Sequence, residues 1–235
     1  MALRAADEAL KNAREIGQAV SLMFALYFVA RLYILCGNYS AATALTQELS
    51  ALAEEKSAPL WKAYGTLSDG WILTMTGNTS EAIRQIALGS AAYRSTASTR
   101  NLPIYSSHLA LAYADIGQLD DAGRCICEAM NMIKTTKEKW FEAEANRIAG
   151  EIALRSPEPD AAKANEYFQL ALAVARQQQA KSWELRAAMS LARLWRDQGK
   201  VQQARELLAP VYGWFTEGFD TRDLREAKAL LEELI

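Results

Sequence analysis

Apolar residues along the chain recur three and four positions apart, which is the spacing of one face of an α-helix. Small residues stand at regular intervals in this pattern, and a bulky residue follows three positions later in most cases. The pairs are Ala30 with Tyr33, Gly70 with Leu73, Ala110 with Tyr113, Ala192 with Trp195, and Gly150 with Ala153, the one small follower. Residues three apart share a helix face, so the pattern predicts close packing at each small residue. Strand-type alternation is absent, and an all-α fold is predicted.

A turn follows seven residues after each small residue, and most of these turns repeat one phrase. The phrase reads Gly37-Asn-Tyr-Ser-Ala-Ala42, Gly77-Asn-Thr-Ser-Glu-Ala82, Gly117-Gln-Leu-Asp-Asp-Ala122 and Gly199-Lys-Val-Gln-Gln-Ala204. The first three glycines are 40 residues apart, and the gap of 82 before Gly199 holds one further turn, Ser156-Pro-Glu-Pro-Asp160. A fixed period of this size is typical of a solenoid of helical hairpins.

The period predicts one domain over residues 1–235, an α-α superhelix of about five hairpins with a helix at each end. The predicted segments are an N-terminal helix at 1–16, units at 17–58, 59–100, 101–137, 138–179 and 180–218, and a capping helix at 221–234. The N-terminal helix resembles the second half of a hairpin, which favours a piece of a longer array. Ser40 is the expected N-cap of one helix, and Asp220 or Thr221 that of the last.

The small residue, the aromatic residue, the turn glycine and the alanine after it together resemble the tetratricopeptide repeat (TPR). The period of 40 differs from the roughly 34 residues typical of that family, and its usual closing proline is missing. Segments 180–195, 209–220 and 226–234 look like the C-terminus of large bacterial proteins that carry a P-loop ATPase domain, often behind a class III adenylate/guanylate cyclase domain. This resemblance implies a regulatory module and lends this chain neither catalytic activity.

The composition of the chain indicates which partners it binds and in which cellular compartment it is found. The 235 residues are 51% hydrophobic and 23% charged with a net charge of −2, so neither nucleic acid nor a membrane surface is an expected partner. Three cysteines indicate no disulfide framework, and the apolar stretch 19–36 is interrupted by Arg31. We therefore expect a cytoplasmic protein without a signal peptide or a membrane span.

Catalytic and metal-binding motifs are not recognised. The sequence Gly199-Lys200 is followed by valine and cannot complete a P-loop. His108 has no ligand-type residue at metal spacing, and Cys125 and Cys127 diverge by about 200° around a helix. We expect neither enzyme activity nor a cofactor nor a metal.

The first helix of each pair is expected to line the concave side of the superhelix, where such proteins bind partners. The candidate groove residues are Phe24, Tyr27, Arg31, Tyr64, Leu67 and Trp71 in the N-terminal half, and Arg147, Glu151, Arg186, Arg193 and Arg196 in the C-terminal half. One interpretation is a protein- or peptide-binding groove with an apolar anchor and an arginine end. The other is an aromatic core and a solvated, salt-bridged wall, with Arg147–Glu151 as one pair. A small-molecule-sensing pocket in the aromatic half is the alternative function.

Overall fold

The computed structural model of the protein describes residues 2–235, which form twelve α-helices and no strand. The helices are α1 (Ala2–Ile16), α2 (Ala19–Leu35), α3 (Tyr39–Glu55), α4 (Pro59–Thr76), α5 (Thr79–Ser95), α6 (Leu102–Asp115), α7 (Leu119–Thr136), α8 (Glu142–Leu154), α9 (Ala161–Gln177), α10 (Lys181–Asp197), α11 (Val201–Tyr212) and α12 (Arg222–Glu233). A short 3-10 turn, Lys139–Phe141, precedes α8. The predicted all-α class of helical hairpins is confirmed.

The chain divides into two units, Met1–Ala112 (unit 1) and Tyr113–Ile235 (unit 2). In unit 1, α2 pairs with α3 and α4 pairs with α5, while α1 packs on α2. In unit 2, α8 pairs with α9 and α10 pairs with α11, and α12 contacts both α10 and α11. The single domain over residues 1–235 and the bounds of its repeat units therefore remain predictions from the sequence.

The small residues predicted from the sequence lie where helices approach closely. A Cβ atom added to Gly150 would stand 2.4 Å from Cε1 of Phe168, and one added to Gly70 would stand 2.5 Å from Cγ1 of Ile86. Real Cβ atoms essentially never come so near a neighbouring atom, so the two helices of each hairpin could not pack this closely around alanine. Phe168 and Ile86 are fully buried, and they fill the space beside the glycines.

The repeated glycines form the turns within hairpins. Gly37, Gly77, Gly117 and Gly199 have φ values of 79°, 84°, 77° and 76°, in the left-handed region that glycine adopts without a steric cost. The helix after Gly37 begins at Tyr39, so Ser40 is not its N-cap. Asn38 takes that place, and its side chain accepts a hydrogen bond from the backbone N–H of Ala41 at 3.2 Å.

A second series of left-handed residues lies in the turns that join one hairpin to the next. Ser57, Ala97, Lys137 and Gln179 have φ values of 49°, 58°, 62° and 54°. Gly17, with φ of 71°, belongs to the same series, 40 residues before Ser57. Sequence analysis did not find this series because no glycine marks four of its five positions.

Candidate partner-binding surface

Unit 1 contains an aromatic cluster on and beneath its first helices, α2 and α4. The rings of Tyr27 and Tyr64 lie 4.3 Å apart between centroids, and Trp61 contacts both at 6.3 and 5.8 Å. Phe24 lies 6.2 Å from Trp61. Contacts of this kind each contribute about 0.5–1.5 kcal/mol beyond the area that they bury, so the cluster joins α2 firmly to α4.

Tyrosine hydroxyls connect this cluster to the rest of unit 1. The hydroxyl of Tyr93 donates to the carbonyl of Arg100 at 2.7 Å, so its oxygen accepts from the hydroxyl of Tyr64 at 2.8 Å. The hydroxyls of Tyr27 and Tyr105 lie 3.1 Å apart. Burial raises the pKa of Tyr27, Tyr93 and Tyr105 above the ordinary value of 10.0, so these three hydroxyls keep their protons further into the alkaline range than an exposed tyrosine does.

The predicted groove residues of unit 1 differ in their exposure. Tyr27, Tyr64, Leu67 and Trp71 are buried, with exposed fractions of 1, 8, 0 and 2%, and they form core beneath the surface. The ring of Trp71 packs against buried His108, 4.8 Å away between centroids. Phe24 is 55% exposed and Arg31 is half-buried. These two side chains are therefore the members of the set in unit 1 that a partner could reach.

Unit 2 carries ion pairs at the corresponding first-helix positions. Arg147 on α8 donates to both carboxylate oxygens of Glu144, at 2.8 and 2.9 Å, and to Glu151 at 3.1 Å. Arg186 on α10 donates to Glu144 at 3.3 Å and to Asp223 on α12 at 2.5 Å. The Arg147–Glu151 pair considered in the sequence is thus present. Acidic and basic side chains alternate from α8 through α10 to α12.

Burial and charge act in opposite directions on the two central arginines. Loss of solvent lowers the pKa of Arg147, but Glu144 and Glu151 raise it more strongly, and the pKa ends above its ordinary value. For Arg186 the same loss of solvent is outweighed by Asp223 and Glu144, which again raise the pKa. Both guanidiniums stay charged and are held by carboxylates of the chain itself.

An arginine end for acidic partners was one of the two interpretations of the sequence, and the ion pairs of unit 2 favour the other, a salt-bridged wall. Three groove arginines of α10 pair with carboxylates of the capping helix, as Arg186–Asp223, Arg193–Glu226 and Arg196–Glu233. Arg155 pairs with Asp115 at 3.1 Å. The set of groove residues taken from the sequence came only from first helices and omitted the acidic residues of α12, so it overestimated the available positive charge.

Two exposed side chains near Phe24 were missed by the sequence analysis. Phe28 is 43% exposed and its ring lies 4.5 Å from that of Phe24, while Val20 is 66% exposed. Val20, Phe24 and Phe28 follow one another at intervals of four, so they share one face of α2. That spacing was visible in the sequence, but nearly every residue of α2 is apolar and the pattern alone did not show which face is covered.

No group of three or more His, Cys, Asp or Glu side chains among residues 2–235 could hold a metal ion. Two cavities lie in unit 2. One, of about 590 Å³, is lined by residues that include Trp140 and Trp183, and one of about 860 Å³ by residues that include Trp214 and Phe215. None of the described helices combines the length and the apolar character that a bilayer crossing requires.

Comparisons with known proteins give the fold and little more. No protein-family model and no curated protein matches the chain. Among solved structures, the apo form of RapI superposes with a TM-score of 0.68 at 15% identity, covering 98% of this chain and 77% of the other. A Rap protein complexed with competence and sporulation factor has a TM-score of 0.73 at 16% identity, covering 97% of this chain and 61% of the other.

A third similar structure is a kinesin light chain from Podosopora anserina, described as having nearly identical TPR-like repeats. It superposes with a TM-score of 0.55 at 18% identity and covers 81% of this chain and 93% of its own. Identities this low establish a shared fold and no shared activity. On these comparisons, this chain has the fold of TPR-like helical-repeat proteins.

Proposed function

We propose that this chain is a non-catalytic helical-repeat scaffold that binds a protein or peptide through exposed side chains of its first helices. The observation that carries the proposal is Phe24, a large apolar side chain that is 55% exposed above the buried aromatic cluster. An accessible aromatic side chain above a well-packed group of buried residues is a common arrangement at protein-binding sites.

Two further observations support a binding role. The fold is that of TPR-like proteins, and one similar structure holds a Rap protein with competence and sporulation factor bound. Among the ion pairs of unit 2, Arg193 on α10 and Glu226 on α12 are accessible, with 40 and 42% of their side chains exposed. Polar residues of this kind form the rim of many interfaces and influence which partner is accepted.

The finer proposal is a cytoplasmic regulatory module at the C-terminus of a bacterial cyclase–ATPase signalling protein. It is supported by the resemblance of segments 180–195, 209–220 and 226–234 to the ends of such proteins. The partner would then be the ATPase or cyclase domains of the same protein. In that arrangement the repeats would control catalysis that takes place outside this chain.

The test is a binding titration between this chain and the separately produced ATPase–cyclase region of such a protein. We expect at least tenfold weaker binding for Phe24→Ser and a smaller loss for Arg193→Glu. Leu170→Ser is the control, because Leu170 is 49% exposed on α9, a second helix. Trp71→Ala is unsuitable, because loss of this buried ring would cost about 3–5 kcal/mol of stability.

The outcomes separate the two levels of the proposal. If the catalytic region does not bind, the signalling assignment is wrong. If it binds equally well to the wild-type chain, Phe24→Ser and Arg193→Glu, the first-helix face is not the binding surface. Loss of binding in Leu170→Ser alone would place the surface on the second helices.

A second candidate function is a small-molecule sensor. The aromatic cavity of about 860 Å³ in unit 2 favours it, because Trp214 and Phe215 line the cavity together with Arg176 and Lys181. Lys181 lies 5.6 Å from the Trp214 ring centroid. Glu184 lines the same cavity and pairs with Arg176 at 3.0 Å and with Lys181 at 2.7 Å, so the wall that remains for a ligand is apolar and suits an aromatic compound. A thermal-shift screen should then give hits that Trp214→Ala abolishes, and a screen without such hits contradicts this function.

A further inference from the structure

Three residues of α2 form an exposed apolar stripe, Val20, Phe24 and Phe28, which we call the α2 stripe. Their exposed fractions are 66, 55 and 43%. The Phe28 side chain also lies beneath a cation, because the guanidinium carbon of Arg31 is 6.0 Å from its ring centroid. An apolar row of this length on one helix face is unusual for a surface that meets only water.

The repeat shows that this face is covered elsewhere in the chain. The positions equivalent to Phe24 are Tyr64, Ile104, Glu144, Arg186 and Asp223, with exposed fractions of 8, 0, 2, 9 and 9%. The positions equivalent to Phe28 are Ser68, His108, Ile148, Ser190 and Ala227, with exposed fractions of 2, 3, 0, 3 and 0%. Both positions are exposed only in α2 among the described helices.

The covering element at the equivalent positions is a parallel helix. Tyr64 on α4 packs against Tyr27 of α2, and the neighbouring contact of Trp61 with Phe24 advances in the same direction along both helices. In unit 2, Arg186 and Ser190 on α10 contact Glu144 and Glu151 of α8 in the same parallel order. Each later first helix with such contacts therefore presents this face to the first helix before it.

We propose that the α2 stripe binds an amphipathic α-helix of a partner protein, which lies parallel to α2 in the place that α2 occupies beside α4. This inference rests on the proposed binding function and specifies the partner. The chemistry of the stripe requires apolar side chains four residues apart on the docking helix. Arg31 lies near the C-terminal end of the stripe, where it also donates to Asn101 at 3.4 Å. Its charge favours an acidic residue near the C-terminal end of the docking helix, where the ion pair must outweigh the unfavourable helix dipole.

A second copy of this chain fits the stripe poorly. The outward side of α12, the helix at the other end of the chain, exposes Arg225, Lys228 and Glu232 and offers no apolar complement. A parallel pair of α2 helices from two copies would place Arg31 opposite Arg31, and like charges repel. An amphipathic helix of different sequence meets neither difficulty.

The test uses a fluorescent synthetic peptide of about 17 residues, the length of α2, with leucines four apart on one face and glutamate in its last turn. A peptide of the same composition with its leucines spread around the helix is the matched control. We expect the amphipathic peptide to bind the wild-type chain at least tenfold more tightly than its isomer. Val20→Ser and Phe28→Ser should each reduce this binding about tenfold, and Leu170→Ser should not.

Circular dichroism of each variant establishes that it is folded before binding is measured, since both serines replace exposed side chains. Equal binding of the two peptides, no binding of either, or binding that Phe28→Ser leaves unchanged would overturn the proposal. Dimerisation of the wild-type chain in sedimentation that Phe28→Ser abolishes would also overturn it, by making a second copy the occupant. The titration with the catalytic region uses other variants, Phe24→Ser and Arg193→Glu. Peptide binding to the α2 stripe can therefore be disproved while binding of the catalytic region persists.

Discussion

Tyr64 in unit 1 and Arg186 in unit 2 occupy the same position of the repeat, yet their surroundings have different chemistry. Tyr64 packs among rings and shares a neutral hydrogen bond with Tyr93, whereas Arg186 bonds to carboxylates on two neighbouring helices, α8 and the capping helix α12. Both side chains are buried. The comparison shows that the hairpin packing accepts an aromatic or an ionic layer, provided that the neighbouring helices supply matching groups. An aromatic layer requires only that neighbouring side chains fit its shape, but an ionic layer requires a side chain of opposite charge on each neighbouring helix.

The largest expected effect is the loss of Arg186. Arg186→Met keeps an apolar stem but removes the guanidinium that Glu144 and Asp223 share, and these carboxylates are only 3 and 12% exposed. We expect a loss of about 3–5 kcal/mol in the free energy of unfolding, because buried carboxylates keep their desolvation cost when a partner is removed. Urea denaturation measures this loss.

The matched controls are Arg193→Met and Tyr64→Phe. The Arg193–Glu226 pair is 40 and 42% exposed and should contribute no more than about 1 kcal/mol. Tyr64→Phe removes one neutral hydroxyl from the aromatic layer, at a cost of about 1 kcal/mol. Equal losses for Arg186→Met and Tyr64→Phe would mean that the two layers do not differ in the way described.

Gly70 and Gly150 occupy the same position of the repeat, one in each unit. Alanine substitutions there test how closely the two helices of a hairpin approach. Gly150→Ala places a methyl group against the Phe168 ring, and Gly70→Ala places one against Ile86, where a backbone nitrogen also lies at 3.0 Å. We expect each to cost about 1–3 kcal/mol, since buried side chains must shift to make room. The loss should be larger for Gly70→Ala, because a backbone atom cannot rotate away.

Gly123→Ala is the control for these two variants. Gly123 lies within α7, and an added Cβ there meets no atom within 4 Å. Alanine should therefore stabilise the protein by about 0.5–1 kcal/mol, through helix propensity alone. If all three variants destabilise the protein equally, the space beside Gly70 and Gly150 is not what requires glycine.

Asp69 on α4 is a half-buried carboxylate in unit 1. Burial raises the pKa of its carboxyl to about 6 from an ordinary value of 3.8. Between these values the native state binds more protons than the unfolded chain, so stability falls as the pH rises from 3.8 through 6. The carboxyl is only half-buried, so we expect Asp69→Asn to stabilise the protein by about 1 kcal/mol at pH 7.

The pH dependence of that gain is its check. Below pH 4 both forms of the protein carry a neutral side chain at this position, so the gain of Asp69→Asn should disappear there. Chemical denaturation at pH 3.5, 5 and 7.5 follows it. A gain that is constant with pH would show that the amide acts through packing and not through charge.

The smallest effect concerns the left-handed turns between hairpins. Ala97 in unit 1 and Lys137 in unit 2 adopt φ values of 58° and 62°. This conformation costs a non-glycine residue about 1–2 kcal/mol, while glycine loses about 0.5–1 kcal/mol of chain entropy. Ala97→Gly and Lys137→Gly should therefore each stabilise the protein by roughly 0.5 kcal/mol in thermal unfolding. Destabilisation by either would contradict this account of the turns.

Local features of the chain determined the helical hairpins. Four of the five turns within hairpins contain a glycine with φ near 80°, at Gly37, Gly77, Gly117 and Gly199, and the small residues seven positions earlier set the helix contacts. These signals act within a few residues, so they are readable along the sequence. The inter-hairpin turn at Ala97 was missed because tertiary packing, and not residue type, imposes its conformation.

Only the tertiary structure decided which first-helix residues reach the surface. Phe24 and Tyr64 share one position of the repeat and are both aromatic, yet one is 55% and the other 8% exposed. The difference depends on whether another helix lies against that face. Likewise, Arg186 and Arg193 of α10 are balanced by Asp223 and Glu226 of α12, which are 37 and 33 residues away in sequence. Burial and charge balance depend on contacts between distant segments, and the period of a sequence cannot show them.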